Sequence, residues 1–213
     1  MVSPWQFHIT AGALCLDFAN TVSWRRSGSP IERLQTYADL ASWGRQVGLM
    51  SQPEERRLNR EAAAHQRRLL RTLATARSLR EAIFAVFARI SEGGVPPNRD
   101  LRALEAWIRT AVEHSKMVVR SGRYRWEPVA GASRMDDMLW RVALSADELL
   151  SSGAVRRIGQ CSGRDCRWLW IDRTRNHSRR WCDMAVCGNR AKAHRHYRRR
   201  QAIKAGPSEP SIA

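Results

Sequence analysis

Four of the chain's five cysteines, Cys161, Cys166, Cys182 and Cys187, fall within 27 residues, as two C-x4-C pairs separated by fifteen residues. Two cysteine pairs joined by a short loop follow the logic of a tetrahedral zinc site. Each pair bends round one side of the ion, and four soft thiolates close the shell with no position left for water. The expected cofactor is therefore one structural Zn2+ rather than a catalytic one. A segment of roughly 45 residues buries little apolar area by itself. Ligation would supply much of its folding free energy, about 10–16 kcal/mol of apparent binding in finger peptides. Two disulfides or four plain buried thiols are the alternatives. A redox dithiol is disfavoured, because both spacers hold four residues rather than two. His177, His194 and His196 could stand in for a cysteine, but nothing in the spacing requires it. Cys15, in LCLDF, reads as a core residue.

Charge is concentrated in the same region. The chain carries +17, and residues 151–213 hold 15 of its 37 Lys+Arg but only 4 of its 20 Asp+Glu. A local cationic field of that kind favours a polyanion, with nucleic acid ahead of an anionic membrane. No leader pattern opens MVSPWQFHIT, and no apolar run approaches a membrane span. Clustered reduced cysteines fit a cytoplasmic setting.

Hydrophobic periodicity organises the rest as mainly α with some β. FHITAGALCLDFANTVSW begins extended and passes into a short helix. After Gly28-Ser29-Pro30, the positions Ile31, Leu34, Tyr37, Ala38, Ala41 and Val47 have helical spacing, with Gly48 as the stop. Ser51-Gln52-Pro53-Glu54 opens the next helix with a capping box, and the helical run reaches Ser91 with one break near His65. Leu69, Leu73, Ala76, Ile83, Phe84 and Phe87 form its core face. Gly93-Gly94 and Pro96-Pro97 end it. A helix fits Asp100 to Ser115, KMVVRSGRYRWEP reads as a β-hairpin about Ser121-Gly122, and Ser133 opens a helix with Met135, Leu139, Val142 and Leu149 on one side, closed by Gly153. The expected organisation is a helical domain with a hairpin over 1–153, a separate finger over 156–205 and a flexible tail over 206–213. In the finger, Trp168 to Ile171 reads as a strand, and Asp172-Arg173-Thr174 as a turn. Together they make a hairpin between the cysteine pairs, in a treble-clef-like arrangement that ends in a basic helix. The tryptophans there read as small-core packing.

That helix runs from Cys187-Gly188-Asn189-Arg190 to about Ala205 and contains no acidic residue after Arg190. At 100° per residue, Lys192, Arg195 and Arg199 share one stripe, bordered by Asn189 and His196, while Arg190, His194, Tyr197 and Gln201 lie on the other side. A cationic rod anchored by a metal ligand suits insertion against a duplex. Phosphates need only charge, and bases need planar donors such as Arg or Asn. The candidate nucleic-acid contacts are Asn189, Arg190, Lys192, Arg195, Arg198, Arg199 and Arg200. RNA stays open beside DNA, because counterion release works on both.

These residues resemble the CGNR zinc finger, through Cys187-Gly188-Asn189-Arg190, the upstream C-x4-C pair, WLWIDRTRNHSRRWC and the following basic run. AGALCLDFANTV is similar to the opening of the ABATE domain that usually precedes this finger. The resemblance implies a bacterial stress-induced transcription regulator that binds DNA, with Cys161, Cys166, Cys182 and Cys187 as the zinc ligands.

Residues 1–150 show no nucleophile–base motif, no phosphate-cradling glycine loop and no distinctive carboxylate pair, so an enzyme is not expected. Asp17, Asn20 and Thr21 sit among apolar neighbours and suit a helix cap or a buried hydrogen-bond network. The sharper alternative is a small-molecule effector pocket lined by Trp5, Asp17, Asn20, Trp24 and Arg25. The same domain is a candidate homodimer surface.

Overall fold

The computed structural model describes residues 3, 5–63, 66–129 and 134–205. The break expected near His65, the helix-opening Ser133, the side chain of Met135 and the tail over 206–213 lie outside the described residues.

The first helix, α1 (Leu14–Ala19), is wholly apolar apart from Asp17 and is buried from Cys15 onward. Beyond it, Val22–Ser23 (β1) pairs antiparallel with Ile31–Glu32 (β2). This corrects the expectation of a helix from Ile31. The helix α2 starts only at Tyr37 and runs to Gln46, because Thr36 and Asp39 form a reciprocal capping box. Ile31 is exposed instead of facing the core. The stop at Gly48 is a Schellman turn: Gly48 takes a positive φ of 79°, and Leu49 N–H donates to Gly44 C=O at 2.8 Å.

The helix α3 (Gln52–Ala63) opens on the expected box, with Ser51 N–H and Oγ both donating to Glu54 Oε2 at 2.8 Å. The central element is α4 (Gln66–Ser91), which packs against α1, α2, α5 (Asn98–Glu113) and α6 (Arg134–Ser151). Its inner face presents Leu73, Ala76, Leu79, Ile83, Val86 and Phe87, all buried, and it stops at Gly93-Gly94. Phe18 of α1 and Trp43 of α2 meet beside it, ring centroids 4.8 Å apart. Arg80 of α4 is also buried, and it is tolerated because its guanidinium grips Glu32 at 2.6 and 2.7 Å.

The strands β3 (Ser115–Arg120) and β4 (Arg123–Pro128) form the expected hairpin, with positive φ at both Ser121 and Gly122, as a two-residue turn of matching twist requires. The register puts Met117 opposite Trp126 and Val119 opposite Tyr124, so one exposed hairpin face is apolar. The final helix of this part ends at Ser151, whose neighbour Ser152 caps a 3-10 turn over Gly153–Arg157.

The C-terminal third begins with β5 (Ile158–Gln160), which pairs antiparallel with β6 (Leu169–Ile171). The hairpin therefore encloses the first cysteine pair. It does not lie between the two pairs, as the sequence suggested, because the partner of Leu169 is Gln160, upstream of Cys161. A π-helical turn, Met184–Gly188, leads into α7 (Asn189–Ala205).

Packing crosses the division expected near residue 153. Ile158, Leu169 and Ile171 belong to the same buried cluster as α1, α4 and α6. Asn20 donates through Nδ2 to Leu169 C=O at 2.8 Å and accepts from Leu169 N–H at 2.9 Å. The indole of Trp168 donates to Val22 C=O at 2.8 Å. A smaller cluster holds Trp168, Trp170 and the four cysteines, with Trp24 and Trp181 against it. No helix among the described residues is long and apolar enough to cross a membrane.

Candidate metal centre and nucleic-acid interface

The hairpin β5–β6 closes a tight knuckle in which Cys161 N–H donates to Trp168 C=O and Cys166 N–H to Gly163 C=O. Gly163 is needed for closeness: a Cβ there would lie 3.3 Å from both Cys166 Cβ and Cys187 Sγ. The loop to the second pair is held by Asp172, whose carboxylate accepts from Thr174 N–H and Arg179 N–H. Arg179 in turn donates to Cys182 C=O at 2.6 Å and covers the Trp170 ring. Ser162 N–H donates to Arg180 C=O, tying the knuckle to this strap. Asp183 then caps the π-helical turn by accepting from Val186 N–H. That turn delivers Cys187 to the site.

The four Sγ atoms lie within 4.8 Å of one another, and all four residues are buried. Cys166 and Cys182 are 3.6 Å apart at sulfur, and Cys182 and Cys187 3.5 Å. A tetrahedral ion at 2.3 Å from each sulfur sets them about 3.8 Å apart, so the spacing suits zinc. None of the four is joined in a disulfide. Their electrostatics point the same way. Cys161 is held well below the usual thiol range by hydrogen bonds from the Cys166 and Cys182 thiols, and both of those are pushed up by Cys161 in return. Burial raises Cys187. Such a cluster places charge on one sulfur at the expense of the others, and a bound dication relieves that conflict. The residues present fit one structural zinc.

The helix α7 leaves this site with nearly every side chain from Asn189 to Gln201 exposed. Among the described residues, Lys192, Arg195, Arg198, Arg199 and Arg200 form no ion pair with an acid. Arg190 differs: its guanidinium carbon sits 4.1 Å over the ring of Trp24. Asn189 is exposed at the helix start, and Tyr197 accepts from Gln201 Nε2 at 2.8 Å.

Of the five residues suggested as an effector pocket, Trp24 alone lines the cleft beside the cysteines, and the other four are engaged elsewhere. Asp17 Oδ1 accepts from Thr10 and Ala11 N–H, both at 2.9 Å, and Asn20 is spent on Leu169. Arg25 donates to Glu81 and Ala19 C=O and lies over Phe84. Trp5 packs on the main core near Arg33. The cleft that Trp24 lines holds about 360 Å3 including space open to solvent and is bounded also by Arg33, Trp168 and three of the zinc-site cysteines. Cys15 is buried in the core, and that burial raises its thiol to about 12. The partnership of Trp24 with Arg190 had no signal in the sequence, since 165 residues separate them. That of Asn20 with Leu169 had one, a polar residue inside an apolar run.

Residues 12–153 match the ABATE family, described as "Putative stress-induced transcription regulator", and residues 157–200 match the CGNR zinc finger. No curated protein matches the chain.

Proposed function

Since the chain belongs to the ABATE family and carries a CGNR zinc finger, we propose that it regulates transcription by laying α7 on duplex DNA, with zinc fixing where that helix begins. One observation carries this reading: the cations of α7 from Lys192 to Arg200 are exposed and, among the described residues, free of acidic partners. Most charged helices on protein surfaces intersperse both signs. This one leaves its charge for a partner. Lys192, Arg195 and Arg199 supply phosphate neutralisation along the stripe, and Arg198 and Arg200 flank it. Asn189 and the arginines are the donors with the planar geometry for base edges. Residues 1–153 serve as the control part, and the cleft beside Trp24 is the place where a small effector would reach both parts.

Duplex affinity should fall steeply with salt, log K losing about 0.9 per phosphate neutralised for each unit of log salt. Charge reversal of both Arg195 and Arg199 to Glu should weaken binding by about 100-fold or more and flatten that slope. Unchanged duplex affinity in this variant would remove α7 as the reading element. Selection of bound duplexes from a random pool, with and without chelator, tests the role of zinc. Enrichment that disappears on chelation supports it. Stronger binding to structured RNA than to duplex at matched salt would transfer the reading to RNA.

A further inference from the structure

Arg190 is the last letter of the CGNR motif, and the sequence places it among the DNA contacts. The geometry points to a different role: Arg190 is a positioning residue that fixes the roll of α7 through Trp24 of the N-terminal part. This inference rests on the proposed DNA-binding function of α7.

Arg190 lies about 160° round the helix from Lys192, at 100° per residue. It therefore sits on the side away from the Lys192, Arg195 and Arg199 stripe. Its guanidinium is 4.1 Å from the centroid of Trp24, inside the range of a cation–π contact. Trp24 is itself held for this task. It has a φ of 56°, unusual for a bulky residue, and heads a turn in which Ser27 N–H and Oγ both donate to Trp24 C=O. The following Arg26 N–H donates to Asp165 C=O in the knuckle, so the turn is tied to the finger on its other flank. The ring packs against the cysteine cluster. Cys187 and the Asp183-capped turn fix where α7 starts, but both act at one point, so a contact further along is what resists rotation about the helix axis. The stack of Arg190 on Trp24, three residues on, sets that rotation and turns the cationic stripe outward.

A positioning role and a phosphate contact differ in their salt dependence. We would measure duplex affinity against salt for the zinc-loaded full chain and for Arg190→Ala, Trp24→Leu, Trp24→Phe and the double variant Arg190→Ala with Trp24→Leu. Zinc stoichiometry and far-UV dichroism check that each variant is folded. The expected result is a loss of about 2- to 30-fold for Arg190→Ala, the size of a cation–π contact. Trp24→Leu should lose a similar amount, Trp24→Phe less, and the double variant no more than the larger single. The salt slope should stay unchanged. A slope reduced by about one in Arg190→Ala, with Trp24→Leu binding normally, would overturn the inference and return Arg190 to the phosphate contacts. A second readout needs no DNA. The indole N–H resonance of Trp24, identified by its loss in Trp24→Phe, should shift in Arg190→Ala; an unmoved resonance would show that the stack is absent. Failure of the wild-type chain to bind any duplex would defeat the DNA reading and with it the role, while the resonance still decides the contact.

Discussion

Each letter of the CGNR tetrapeptide has its own physical task. Cys187 brings sulfur to the cluster. Gly188 leaves room for the Met184 side chain folded across it, which a Cβ would strike. Asn189 starts α7 exposed, and Arg190 stacks on Trp24. At the other end of the chain, Asp17 shows how a buried carboxylate is accommodated. Burial raises it from 3.8 to about 6, and the N–H groups of Ala11 and Thr10 only partly offset that. Between about pH 4 and pH 6 the folded chain therefore holds a proton that the unfolded chain releases. Asp17 costs stability as pH rises through this window, and the cost is complete above it. Asp17→Asn keeps an oxygen for both N–H groups without the charge. Relative to wild type, it should gain on the order of 1–3 kcal/mol between pH 4.5 and pH 7, read by urea unfolding of the zinc-saturated proteins. A difference independent of pH would show that Asp17 is not the titrating group. The zinc ligands were legible because thiols at that spacing have few other uses in a short segment. Asp17, Asn20 and Thr21 were legible as a buried hydrogen-bond network, but their partners and the task of Trp24 were not, because these depend on neighbours that the fold supplies.

Among the elements, those announced by local chemistry stand where their signals lie. Ser51 and Glu54 start α3, Gly93-Gly94 stops α4, and Ser121-Gly122 turns the hairpin. The failures came where a short apolar run had two uses. Ile31 and Leu34 suit a helix face by spacing, yet the Thr36–Asp39 cap places the helix start after them and frees Ile31 to pair with Ser23. Leu169 suited a strand, but its pairing partner could not be read from periodicity. The π-helical turn at Met184–Gly188 was also invisible, since it exists to carry Cys187 and Gly188 back onto Asp183 C=O. This turn makes its own prediction. In Gly188→Ala the new methyl meets only the flexible end of the exposed Met184 side chain, which can swing into solvent at little cost. Zinc transfer to a competing chromophoric chelator should therefore run at about the wild-type rate. A several-fold faster rate would mean that the turn itself gives way and disturbs Cys187.

For the whole molecule, the two families meet in sequence near residue 155, but the apolar interior does not divide there. Helical signals gave the N-terminal part and cysteine spacing the metal site; neither carried the information that β6 closes the core of the first. Ile158, Leu169 and Ile171 connect the two, as do the Asn20 and Trp168 bonds. Removing the metal should therefore be felt beyond the finger. With chelator, the helical part should melt at a temperature several degrees lower, as expected when burial worth about 1–2 kcal/mol is loosened. Helical ellipticity at 222 nm, followed with and without chelator, measures this. An unshifted helical transition would mean that β6 stays docked without the ion.

The two-way amide bond of Asn20 has an evolutionary side as well. A finger moved behind an unrelated neighbour would lose that side chain and leave Leu169 with an N–H and a C=O lacking mates, and Trp168 with no carbonyl to donate to. Such a cassette is poorly portable, so descent should keep Asn20 and β6 together, and shuffling should break them only where a substitute seam has arisen.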